Sequence, residues 1–206
     1  MRGARHRAAE WAWCLYDWAN SSFVTTITAA VLPVYFADVV CGSQTVSWSL
    51  LGRSMESTAT SLWGYAMALA AAVVALLSPL FGAAADASRS RKRLTGMLTA
   101  LGVASAGLLS LTGEGDIWPV LGLLVLGQIG FAGSNVFYNS LLMSAAPPER
   151  RDLVSARGFA MGYLGGGLLL ALNLLMIRRP GMFGMVDAVQ GTRMSFLSVA
   201  VWWGLF

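Results

Sequence analysis

The chain has 206 residues, 56% of them hydrophobic and 12% charged, with a formal net charge of +4. A soluble domain carries about 25% charged residues, so most of this surface is suited to lipid. The positive balance comes from small clusters beside apolar runs, not from a basic domain, and a nucleic-acid partner is therefore not expected.

Arg2, Arg5 and Arg7 open the chain like the basic leader of a signal peptide. The apolar stretch behind them is too long for one, is interrupted by Asp17 and Asn20, and lacks a small-x-small cleavage site, so it reads as a retained helix. A first span is expected over about 18–37, with Trp11–Tyr16 as an aromatic lead-in at the headgroups. A polar connection follows over 38–61. The second span, about 62–85, runs into the charge cluster DASRSRKR, and a third covers about 94–111. Glu114, Gly115 and Asp116 make a turn before a fourth span over 117–145, which Pro147 and Pro148 stop. The fifth covers about 154–177, and RRPGMFGMVDAVQGTR forms a loop. A sixth begins near Met194 and reaches Phe206 after about 13 residues, too few to cross at 1.5 Å per residue. The expected fold is a single all-α integral membrane domain of six helices, the sixth truncated.

Lysine and arginine set the orientation. With the amino terminus and the loops after spans two and four inside, Arg2, Arg5, Arg7, Arg89, Arg91, Lys92, Arg93, Arg150, Arg151 and Arg157 face the cytoplasm. Arg53, Arg178, Arg179 and Arg193 face outward. The expected location is the cell (inner) membrane, with the amino terminus in the cytoplasm.

Polar side chains in hydrocarbon tend to face the bundle interior or a wet cavity. Asp17, Asn20, Ser21, Thr25 and Thr28 recur at helical spacing and predict a polar stripe on span one. Gln128, Asn135 and Asn139, with Tyr138 beside them, predict a second stripe on span four. Hydroxyls and amides of this kind also bond neighbouring helices together; Asp17 and the asparagines are the stronger candidates for a solute path. Thr95, Thr99, Gly102 and Ala106 on span three predict close helix packing. Trp63, Tyr65, Trp118 and Tyr35 read as interfacial anchors. Cys14 and Cys41 fall at opposite ends of span one, so no disulfide is expected. His6 has no ligand neighbours, and neither a metal nor another cofactor is expected. With no Ser-His pair, paired intramembrane aspartates or metal cluster, the chain does not read as an enzyme.

GAAADASRSRKR, from Gly82 to Arg93, resembles the loop signature between helices two and three of the major facilitator superfamily. Gly82 and Asp86 are its firm correspondences, and Arg89, Arg91, Lys92 and Arg93 form its basic run. GFAMGYLGGG resembles the helix-five glycine signature through Gly158, Gly162, Gly165 and Gly166, with Tyr163 where many exporters carry proline. Val125 stands where some proton-coupled members place an arginine. EWAWCLYDWANSSF, the second span and SARGFAMGYLGGG together resemble the vacuole-effluxer-like branch, named for fungal proteins associated with amino-acid efflux in autophagy.

The resemblance implies twelve helices in two halves, each of two inverted three-helix repeats, with the solute held between the halves. This chain would be the amino-terminal half of a secondary transporter for a small solute, possible amino acids among them, with Asp86 as a gate latch. Spans one and four would then be equivalent helices, and Asn20-x-x-Phe23 and Asn135-x-x-Tyr138 echo one another. The partners implied are the bilayer, a small solute, and a missing carboxy-terminal half or a second copy. The alternative is a half-length protein that dimerises or serves as a non-transporting membrane partner.

Overall fold

The computed structural model describes residues 2–42, 45–50, 52–87 and 90–206, and of residues 2–6, 50, 86 and 87 the backbone alone. Among these residues there are six long helices: α1 (2–40), α2 (Ala59–Ala87), α3 (Arg91–Leu109), α4 (Ile117–Ala145), α5 (Arg151–Arg178) and α6 (Ala188–Leu205). Stretches over Arg7–Val40, Ala59–Ala85, Ile117–Ala145 and Pro148–Arg178 are long and apolar enough to cross a membrane. In hydrocarbon a helix satisfies its backbone within the segment, which is why such runs fold this way. Helices α3 and α6 are shorter, at 19 and 18 residues, and Arg91, Lys92 and Arg93 lower the hydropathy of α3. The all-α membrane fold expected from composition is the one observed.

Helix α1 is longer than its expected span at both ends and changes character midway. From Phe23 to Val31 and again from Phe36 to Val40 its turns widen to an i→i+5 pattern, with the Leu32 N–H bonding the Ile27 carbonyl. Pro33 lies between the two stretches and has no N–H to give to the preceding turn, a common cause of such irregularity. Each residue of a widened turn rotates less than the roughly 100° of an α-helix, so the faces of α1 before and after Phe23 are out of phase.

Three readings from the sequence need correction. The connection expected over 38–61 contains an antiparallel hairpin, β1 (Val46–Leu50) and β2 (Arg53–Ser57), turned at Gly52 with φ of 79°. The alternation of Val46, Trp48 and Leu50 is its sequence signal. Trp48 donates to the Ser57 hydroxyl and packs edge-on against Trp118, capping the gap between α2 and α4. The sixth helix begins at Ala188, not near Met194: Asp187 accepts from the Gln190 N–H at 2.7 Å, while Gln190 accepts from the Val186 N–H at 2.7 Å. That reciprocal pair is close to a capping box. Tyr35 is buried, not an interfacial anchor; its hydroxyl donates to the Thr112 carbonyl at 2.7 Å and its ring meets Phe196.

Helix α1 packs along α5, α3 along α4, α2 against α4, and α6 against α3 and α5. Glycines set close approaches between backbones. A Cβ on Gly130 of α4 would lie 2.6 Å from the Gly102 nitrogen of α3; on Gly165 of α5 it would collide with the Trp18 carbonyl of α1. Between these seams Phe23, Phe131 and Trp203 stack with centroids 5.5–6.2 Å apart, tying α1, α4 and α6 together.

At one end of the bundle Arg150 clamps Glu10 through two 2.9 Å bonds, joining α1 to the turn before α5. Arg91 donates to the Ala85 carbonyl at 2.6 Å and toward the Ser140 carbonyl, and Arg151 donates to the Ala146 and Met143 carbonyls. Guanidinium groups thus cap the last turns of α2 and α4, where the helix dipole favours positive charge.

Gly165→Ala should destabilise the protein by about 1–3 kcal/mol through overpacking. Gly167→Ala, where a Cβ meets nothing within 4 Å, should leave stability level or raise it; thermal unfolding in detergent compares the two. Removing Glu10 or Arg150 singly should lower the unfolding temperature by more than additivity with the double variant allows, and a double-mutant cycle reads that coupling.

Candidate functional site

A cleft of about 330 Å³ opens between α1, α4 and α5. Asp17, Asn20, Ser21 and Thr25 reach it from α1; Asn135, Tyr138 and Asn139 from α4; Gly162 and Tyr163 from α5. The two polar stripes expected on spans one and four therefore meet. The Asn20 amide donates to the Asn135 carbonyl oxygen at 2.8 Å, so the two echoing Asn-x-x-aromatic segments pair through their own asparagines. Asn20 is fully enclosed, whereas Asn139 is exposed on the cleft wall.

Tyr138 closes one side. Its hydroxyl donates to the Trp13 carbonyl, the Trp13 indole donates back to the Tyr138 carbonyl, and the rings stack 4.4 Å apart. On the opposite wall the bare backbone of α5 admits α1: a Cβ on Gly162 would come 2.6 Å from the Ser21 hydroxyl and 3.2 Å from the Asp17 carboxylate. Gly158 faces Trp13 in the same way, and Gly166 faces Thr25, whose hydroxyl reaches the Gly166 carbonyl at 3.2 Å. Each glycine of the helix-five signature therefore meets a residue of α1. Tyr163, in the position many exporters give to proline, borders the cleft at its open side and is 79% exposed.

Gln128 and Thr28 lie away from this cleft. The Gln128 amide donates to the Thr28 hydroxyl at 2.9 Å, stitching α4 to α1 further along. Thr28 and Gln128 thus continue the two facing stripes beyond the cleft.

Of the loop signature, Gly82 lies in α2, where a Cβ would meet nothing within 4 Å. The side chain of Asp86 and all of Arg89 fall outside the described residues, so the latch reading has no geometry to stand on. Arg91 caps α2, while Lys92 and Arg93 are exposed. Lys92 borders a larger cavity of about 510 Å³ among α1, α3, α4 and α6. Hydroxyls there are already engaged, Tyr16 with Thr99 at 2.8 Å and Thr95 with the Arg91 carbonyl. The smaller cleft holds the freer polar groups.

Sequence reasoning passed over the Glu10–Arg150 clamp, since a glutamate in a basic leader looks solvated, and Asn173, which is buried within α5. Asn173 joins Thr26 of α1 at 3.4 Å and Ser198 of α6 at 2.8 Å. A lone asparagine 22 residues into the 28-residue α5 was its available signal.

The profile of the family described as "Vacuole effluxer Atg22 like" matches residues 5–206. Over 205 residues the chain is 33% identical to YxiO of Bacillus subtilis (strain 168), described as an uncharacterized MFS-type transporter. The alignment covers 98% of this chain and 45% of that protein, so the chain spans about half the length of the relative it matches. No solved structure matches. The chain is a multi-pass membrane protein, and it belongs to the vacuole effluxer Atg22-like family of transporters.

Proposed function

We propose that the chain forms one half of a secondary active transporter that moves a small solute by alternating access, amino acids being the class to which the family resemblance points. The observation that carries this reading is the polar cleft between α1, α4 and α5, with Asn20 bonded to Asn135 beside it. Asp17, Asn20, Asn135, Tyr138 and Asn139 line the path. Amides and a carboxylate are costly in hydrocarbon and are concentrated where a polar solute passes. The opposite wall is supplied by a second bundle, from a longer chain or from a second copy. Asp86 and the basic run after α2 act at the inner gate.

A half-length protein that dimerises is the second reading. Cross-linking in membranes separates it from a continuous two-bundle transporter.

Paired Asn135→Ala and Asn139→Ala changes in the full-length protein should reduce solute uptake into vesicles at least tenfold at equal membrane abundance. Unchanged binding and uptake would remove these residues from the path. Asn20→Ala alone should cost about 1–3 kcal/mol by leaving the Asn135 amide unsatisfied, seen as a lowered unfolding temperature. With the amino terminus in the cytoplasm, Ser47→Cys in the hairpin should react with a membrane-impermeant thiol reagent added to intact cells lacking Cys14 and Cys41; protection until lysis would reverse the orientation.

A further inference from the structure

Asp17 differs from every other polar group in the cleft. It is 9% exposed, yet among the described residues no hydrogen bond or ion pair engages its carboxylate. Its neighbours are committed elsewhere: Asn20 donates to Asn135, Tyr138 to the Trp13 carbonyl, and Thr25 to the Ser21 and Gly166 carbonyls. Arg157 lies on α5 only five positions before Gly162, but it lines a separate groove with Glu10 and Cys14. Asp17 is the single charged side chain among the described residues of the cleft, and no cationic group there could receive an anion.

An unpaired acid on the wall of a cleft is suited to a positive partner that arrives from outside the fold. The remaining walls suit one, because Trp13, Phe131 and Tyr138 line the same cleft, with Phe159 and Tyr163 at its exposed edge. Aromatic faces attract ammonium groups. We propose that this half of the cleft binds the ammonium group of a cationic solute, with Asp17 as its counter-ion and the aromatic side chains as its cage. The proposal rests on the reading of the cleft as a solute path. Asn135 and Asn139 serve the neutral polar part of the solute, and a solute carboxylate would find its partner outside this bundle.

Choline is a suitable probe, compared with its uncharged carbon isostere in which a tert-butyl group replaces trimethylammonium. In the purified full-length protein in detergent, choline should bind saturably and at least tenfold more tightly than the isostere. Asp17→Asn should weaken choline at least tenfold while leaving the isostere unchanged, and Asp17→Glu should retain part of the preference. Equal binding of the two probes by the unsubstituted protein would overturn the proposal whether or not any variant folds, as would an Asp17→Asn protein that binds choline normally. Transport assays separate this inference from the reading beneath it. Asp17-dependent choline binding without uptake of any solute into vesicles would sink the transport reading and leave the ammonium site. Uptake of neutral or anionic solutes, unaffected by Asp17→Asn, would do the reverse.

Discussion

Hydrocarbon offers no water to a polar group, and the arrangement of these helices follows from that restriction. Amides and hydroxyls buried on one helix are answered from another. Gln128 meets Thr28, Asn20 meets Asn135, and Asn173 meets both Thr26 and Ser198. Three of those bonds end on α1, which is therefore the helix around which the bundle is organised. Its polar groups specify which faces of α4 and α5 must turn inward. Interhelical bonds of this kind contribute roughly 0.6–2 kcal/mol each, so their weight lies as much in selecting one register as in overall stability.

Close approach makes those bonds possible. Lipid tails are as apolar as leucine, so helices in a membrane gain little by burying apolar surface and much by packing tightly. The glycines of α5 bring its backbone onto Trp13, Trp18, Ser21 and Thr25, and Gly130 does the same for α4 on α3. At one end of the bundle, carbonyls left over at the ends of α2 and α4 are taken by Arg91 and Arg151. The basic residues that orient such a chain in the membrane thus also finish its helices.

The cleft is what this packing leaves open. It sits where α5 is stripped to backbone against α1, from Trp13 to Thr25. Further along, Thr28 and Gln128 bond each other and serve packing instead.

The sequence alone was enough for the class of molecule. Its apolar runs are of bilayer length, its charges are grouped between them, and Asp17, Asn20, Asn135 and Asn139 stand out because a polar residue in hydrocarbon is conspicuous whatever it touches. The glycine spacing on α5 was equally legible, since a missing side chain is a local property. Partners were not legible. That Asn20 bonds Asn135, that Arg150 clamps Glu10 and that Asp17 is left without a mate depend on distances between residues more than 100 positions apart or on the absence of a neighbour, neither of which is written in local spacing. Helical periodicity put Thr28 and Gln128 on the two stripes, and they do bond each other, but further along the helices than the cleft reaches. Tyr35, read as an anchor from its place near a span end, is buried because α6 and the end of α3 happen to fold over it. Local pattern decided which groups would be costly to expose to lipid; only the tertiary structure decided which of them found a partner, because pairing is a matter of three-dimensional proximity.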